Sequence, residues 1–151
     1  MNILLVQHGK CFAKEADPDR SLTVQGREEV IKVAGQAVEA QIEVGAIFHS
    51  GKLRALQTAE LFAQHLNVDR MEAIDGIAPL DDVEVFAQHF QWPDQAMLVG
   101  HLPFMARLAA YLLTGRAEPA IIKFQHGGIV CLEQNEYPHW ALKWTMMPLI
   151  D

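Results

Sequence analysis

Cysteine is scarce in this chain: Cys11 and Cys131 are the two among 151 residues. They share no metal-type spacing and are too few for a disulfide framework, so they read as free thiols of a reducing, cytoplasmic compartment. Basic residues are few as well. Lys and Arg total 12 against 19 Asp and Glu, the formal charge is −7, and no basic run occurs. That excludes the basic face on which nucleic-acid binding depends. Long apolar runs are missing, since no stretch approaches the ~18 residues of a membrane span. The opening Ile3-Leu4-Leu5-Val6 is short, lacks a basic flank and breaks at Gln7-His8. It reads as a buried first strand and not as a leader peptide. Repeats, low-complexity tracts and linkers longer than a turn are absent too. Hydrophobic residues, by contrast, make up 50% of the chain, enough for one core in a single domain spanning 1–151.

The apolar residues alternate between short runs and longer stretches of helical period, the pattern of βα units around a mostly parallel sheet in a three-layer α/β/α domain. The first run, Ile3 to Val6, leads into a polar loop containing Asp17-Pro18-Asp19-Arg20. Thr23 is placed to cap a helix with Val30, Ile31, Ala34, Ala37 and Val38 as its apolar stripe. Ala46-Ile47-Phe48 is a second strand, followed by a helix carrying Leu53, Leu56, Ala59, Leu61, Phe62 and Leu66. The stretch from Met71 to Pro79 reads as irregular, and a short helix is expected near Asp82 to Phe90. Ala96 to Val99 is a third strand, and the next helix opens at Pro103 and ends at Gly115. Gly128 to Glu133 and Trp140 to Met146 read as two strands of an edge hairpin.

Three strands end in a polar residue: His8 after the first, Ser50 after the second, His101 after the third. In open α/β sheets ligands bind beyond the carboxyl ends of the strands. Helices starting near residues 52 and 103 would aim their N-termini at that place, where backbone N–H groups and the helix dipole favour an anion. Arg54, one turn into its helix, can reach back over the mouth, and its guanidinium suits phosphate. Each signal is weak alone. Together they describe an anion-binding α/β domain without naming a reaction.

Four motifs go further. Val6-Gln7-His8-Gly9 is similar to the Arg-His-Gly signature of the histidine phosphatase superfamily. Asp17, Arg20, Leu22, Thr23 and Gly26 fit its D-x-x-R-x-L-T-x-x-G segment. Ser50 to Ala59 resembles S-P-x-x-R-A-x-Q-T-A, and Leu98-Val99-Gly100-His101-Leu102-Pro103 is similar to the segment of the second catalytic histidine. The order is right and the match runs nearly the whole length. Within the superfamily the chain resembles the small SixA-type phosphohistidine phosphatases, which implies a phosphoglycerate mutase-like fold. The resemblance also implies a metal-independent, cofactor-free phosphoryl transfer. His8 would be the nucleophile, forming a phosphohistidine intermediate. His101 and Arg54 would stabilise charge on the equatorial oxygens, and Gln7, Gly9, Ser50 and Gly100 would line the phosphate. The partner would be a phosphohistidine-bearing protein or a small phosphate ester.

Three departures qualify the match. Gln7 stands where the signature has arginine, so a donor is kept but the charge and the bidentate fork are lost. Lys10 and Lys52 are the candidates to replace that charge. Gly51 stands in place of the signature's proline, which on sequence grounds costs rigidity alone. Where larger members carry a glutamate that protonates an alkoxide, the alignment gives Gly76, beside Asp75, while Asp81, Asp82 and Glu84 read as helix N-terminal charges. A missing acid favours a good leaving group, an N–P bond above all. His126 stands where it could border the pocket but reads first as a core or loop histidine, His49 reads as facing away from the pocket, and Trp92, Trp140 and Trp144 as core. Two readings compete with a phosphatase: a phosphate-binding module that lost turnover with Gln7, and a histidine metal site, for which His8 and His101 lack a carboxylate or thiol partner at a recognisable spacing.

Overall fold

The two hydrophobic periods sort into one sheet covered by helices on both faces. The computed structural model describes residues 1–149. The chain runs β1 (Asn2–Gln7), α1 (Val24–Glu39), β2 (Ala46–His49), α2 (Leu53–Leu66), β3 (Met71–Ala73), α3 (Val83–His89), β4 (Ala96–Gly100), α4 (Phe104–Thr114), β5 (Ile129–Glu136) and β6 (His139–Met146). The sheet order is β3-β2-β4-β1-β5-β6. The first four are parallel, and β5 and β6 add antiparallel pairs at the end. The expected α/β/α layering holds, and the C-terminal hairpin does form the sheet edge.

Strand alternation builds two cores. Leu4, Val6, Ile47, Met97 and Val99 pack beneath α1 and α2, while Ile3, Leu5, Phe48, Leu98 and Val130 pack beneath α3 and α4. A strand buried on both faces needs apolar residues at every position, which is why β1, β2 and β4 are unbroken apolar runs. On α1 the buried stripe is Val30, Val33, Ala34 and Ala37. Ile31 and Val38, expected on it, are exposed, because the stripe turns with the 3.6-residue period and leaves them on its flank. Thr23 caps α1 as expected, its hydroxyl accepting from the Gly26 amide at 2.9 Å. Gly115, left-handed at φ +81°, closes α4. The stretch read as irregular contains β3, an edge strand of three largely exposed residues, too short and too polar to show in an apolar pattern. Among the described residues no helix is long and apolar enough to cross a membrane.

Register places the functional residues. Gln7 pairs with Gly100, and Val99 with His49. The residues just beyond, His8, His101 and Ser50, therefore emerge side by side at the carboxyl edge. From there β1 leads to α1 on one face and β4 to α4 on the other. Adjacent strands whose connections part in this way create the crevice where α/β sheets bind ligands.

Candidate active site

His8 continues the ladder for one more bond, its amide donating to the Gly100 carbonyl at 3.0 Å. Its ring nitrogen Nδ1 lies 2.7 Å from the Gly9 carbonyl oxygen. A carbonyl accepts and never donates, so the proton sits on Nδ1 and the lone pair on Nε2. Burial holds this imidazole far below its ordinary 6.5, at about 4. The Gly9 hydrogen bond opposes that fall, and the charges of Arg54 and Arg20, with the neighbouring imidazole of His126, deepen it. His8 is thus a neutral imidazole at physiological pH with an unencumbered nitrogen.

Gly9 fixes this arrangement from below. Its amide donates to the Thr58 hydroxyl at 2.9 Å, and that hydroxyl donates to the Arg54 carbonyl at 2.8 Å. A Cβ on Gly9 would sit 2.9 Å from Val30 Cγ2, and one on Gly26 would sit 2.1 Å from the Lys10 carbonyl oxygen. The two glycines let α1 press against the loop that carries His8.

His101 is fully buried, its ring centroid 5.1 Å from that of His8. Nε2 shares a 2.6 Å hydrogen bond with Ser50 Oγ, which also accepts from the Lys52 amide at 3.3 Å. Nδ1 is buried and has no partner among the described residues. Burial first, then the charges of His8, Arg54, Lys52 and Arg20, push this imidazole down to about 3. Arg54 lies close enough to act electrostatically on both rings, and its guanidinium forms no hydrogen bond or ion pair among the described residues. Its own pKa is lowered by burial and by the neighbouring Arg20.

Arg20 joins the site although the sequence reading gave it no role beyond its motif. Its charge bears on His8, His101 and Arg54. The loop is tied for this purpose. The Asp17 carboxylate accepts from the Asp19 and Ser21 amides and from the Ser21 hydroxyl, and Arg20, at φ +53°, sends its guanidinium back towards Phe12 O and Cys11 Sγ. The signal was present: an aspartate three residues before the arginine is the tie that holds the loop.

The other expected residues divide. Gln7 is 5% exposed, and its amide side chain has no hydrogen-bond partner among the described residues. Its carbonyl accepts from the Gly127 amide at 2.8 Å. Gly100 lies against Met105, whose Sδ would be 2.7 Å from a Cβ there. Lys10 pairs with Glu29 at 3.2 Å and is not among the charges that act on His8 or His101. Lys52, at the N-cap of α2, acts on His101. Asp82 and Asp81 cap amides of α3 and of the preceding turn, as a structural reading expects. Gly51 requires a correction. Its φ of +85° is closed to proline, and its amide donates to His49 Nδ1 at 3.1 Å, which a proline could not do. The turn is therefore built differently, not merely less stiff. His126, read as core or loop, stands edge-on to His8 with centroids 5.6 Å apart. The groups that act on the two central imidazoles are the cations Arg54, Arg20 and Lys52 and neighbouring imidazoles, with no carboxylate among them, and no cluster of metal-ligand type occurs among the described residues.

A mixed α/β sheet with paired imidazoles and arginines at its switch point defines a phosphoryl-handling class of protein. The model of the histidine phosphatase superfamily (branch 1) matches residues 3–79, half of the chain. The chain belongs to that superfamily and is a phosphatase with the phosphoglycerate mutase-like fold. The phosphohistidine phosphatase SixA of Escherichia coli strain K12 is 26% identical over 155 residues, covering 98% of this chain and 94% of that protein. The structure of the protein histidine phosphatase SixA complexed with tungstate superposes with a TM-score of 0.85 at 25% identity, over 98% and 97% of the two chains. A phosphoserine phosphatase from Entamoeba histolytica shares the fold at TM-score 0.66 and 17% identity, over 96% of each chain.

Proposed function

We propose that this chain is a metal-independent phosphohistidine phosphatase whose nucleophile is His8. The observation that carries this reading is the forced tautomer of His8, Nδ1–H on the Gly9 carbonyl with Nε2 free, set among cations and without a carboxylate.

The chemistry follows from those parts. Nε2 attacks phosphorus while the P–N bond to the departing imidazole breaks. The leaving nitrogen is protonated from solution, so no protein acid is needed, whereas an alkoxide would require one. Positive charge appearing on the His8 ring is spread onto Nδ1–H, which keeps its bond to Gly9 O. Arg54, Arg20, His101 and the Gln7 amide face the equatorial oxygens, where charge accumulates in a loose phosphoryl-transfer transition state. The hydrogen bond shared by Ser50 Oγ and His101 Nε2 holds the His101 ring beside His8. Water attacks the phosphohistidine, the Nε2–P electron pair returns to nitrogen, and the protons of the water leave with phosphate and solvent. Tungstate, held by the SixA relative, is a tetrahedral oxyanion of the same shape.

The rival reading, a binding module disabled by Gln7, predicts phosphate binding without turnover. Rapid mixing with 32P-labelled phosphohistidine peptide, quenched in alkaline denaturant, separates the two. We expect label on the wild-type chain, none on His8→Ala, and turnover lost in that variant. Phosphate binding with neither label nor turnover in wild type would leave the binding module. Unchanged turnover in His8→Ala would remove His8 from the mechanism.

A further inference from the structure

We propose that His126 is a third imidazole of the phosphate site, donating to an equatorial oxygen and making good part of what Gln7 fails to supply. The inference rests on the phosphatase reading above and extends it to a residue outside the four family motifs.

Three observations place His126 there. Its backbone pairs with Gln7 in an isolated parallel bridge, and the next amide, Gly127 N, donates to the Gln7 carbonyl at 2.8 Å. The segment is therefore positioned by the very residue that departs from the signature. Its ring meets His8 edge to face at 5.6 Å, against 5.1 Å for His101, so two imidazoles flank the nucleophile at similar distances. Neither ring nitrogen of His126 has a hydrogen-bond partner among the described residues, although the ring is half-buried. Neither nitrogen is among the buried unpartnered atoms, so the ring is open to water in the empty site and to a phosphoryl oxygen on His8 when one is present.

The groups around His126 fit that role. Burial holds it in the neutral form, Lys10 adds to that, and Glu29 opposes it. Lys10 and Glu29 pair with each other and line a cavity of about 170 Å³ together with His126, Phe124 and Gln125. Glu29 Oε1 is buried and unpartnered there. In the empty site the ring adds no charge to a cluster that already holds two guanidinium groups. A phosphate dianion supplies the negative charge that favours its protonation, so a donor is gained when the ligand arrives.

The test measures inorganic phosphate affinity and turnover of phosphoimidazole in wild type, His126→Ala, Gln7→Arg and the double variant. Imidazole nitrogens of His126 are followed by 15N NMR as phosphate is added. We expect His126→Ala to lose about tenfold in both quantities, the scale of one hydrogen bond to a charged group. The loss should shrink to about twofold or less in the Gln7→Arg background, where the guanidinium takes over the oxygen. The His126 resonances should move on phosphate binding. Equal losses in both backgrounds would mean that the substitution damages the loop, and no loss would mean that the ring is a bystander. Either result overturns the inference while active wild type leaves the phosphatase reading standing. Wild type that neither binds phosphate nor turns over would overturn both.

Discussion

Thr58 is the least conspicuous member of the site and the one whose removal can be worked out most completely. It is fully buried, accepts from the Gly9 amide at 2.9 Å and donates to the Arg54 carbonyl at 2.8 Å. Thr58→Val keeps the shape of the side chain and deletes both bonds. The Arg54 carbonyl lies in the first turn of α2 and keeps its helical environment, so its loss is small. The Gly9 amide is left without a partner in a place that water does not reach, and an unsatisfied buried donor costs about 1–3 kcal/mol. For a chain of this size each kcal/mol moves the thermal midpoint by about 2–4 °C, so the midpoint should fall by roughly 2–12 °C. A second effect is kinetic. The Gly9 carbonyl that fixes the His8 proton belongs to the residue whose amide Thr58 holds. A small displacement of a reacting group can cost about a hundredfold, so kcat on phosphoimidazole should drop by about ten- to a hundredfold with the KM nearly unchanged. Thr58→Ser retains the hydroxyl and should recover most of both losses. Differential scanning calorimetry and steady-state kinetics on the three proteins decide the matter. A valine variant that melts and turns over like wild type would show that the Gly9 amide needs no partner and that the chain of bonds is idle.

Gln7→Arg should raise kcat/KM by about 10- to 150-fold, the scale of one charge-assisted hydrogen bond at 1.36 kcal/mol per decade; a fall would show that the site has been rebuilt around the amide. Gly51→Pro, which restores the family's own residue, should lower the stability measured by urea unfolding by more than about 1 kcal/mol, because proline cannot adopt φ +85° or donate to His49. The pH dependence has a definite sign. His8 and His101 titrate at about 4 and about 3 in the folded chain, well below their ordinary 6.5. Between those values the unfolded chain binds more protons, and stability falls as the pH is lowered from 6.5. His101→Asn should flatten that decline in a thermal-midpoint series, and an equally steep series in the variant would refute the assignment. Turnover that depends on neutral His8 should likewise persist below pH 6.5 and fail as the pH approaches 4.

Much of this was legible in the sequence, for reasons that differ from element to element. Buried strands such as β1 and β4 announce themselves because both faces are covered and every side chain is apolar. The end of such a run marks the ligand-binding edge, and so His8, Ser50 and His101 could be placed on one line. β3 was invisible for the opposite reason: three exposed residues at an edge are held by backbone pairing with β2, which leaves no pattern in side chains. Arg20 was given no role, and His126 was set second to a core or loop reading, because loops bring both beside His8. The first comes through a carboxylate that folds the segment on itself, the second through a single backbone bridge to Gln7. Neither tie has a period. Gly51 shows a different limit, since the residue was noted but its left-handed backbone was not a property that composition could show.

The departures from the signature belong together once charge is followed through the site. A full guanidinium at position 7 would stand beside Arg54 and Arg20; the charge of Arg20 already lowers the affinity of Arg54 for a proton, and both charges act on the same two imidazoles. No carboxylate among the described residues acts on them, and Lys10 pairs with Glu29. A neutral amide at Gln7 therefore spares the empty site a third like charge at the cost of weaker transition-state binding. That exchange is tolerable when the substrate brings a leaving group that departs without help. It is ruinous for an alkyl phosphate, which needs both the stronger clamp and an acid where larger members carry a glutamate, the position held here by Gly76. On the proposed function, the preference for an N–P bond and the loss of the arginine are two consequences of one electrostatic arrangement, and Gln7→Arg should widen the range of substrates as well as raise the rate. Measured as the ratio of phosphoimidazole to alkyl phosphate turnover, that ratio should fall in the variant; a ratio that stays fixed while both rates rise would separate the two consequences.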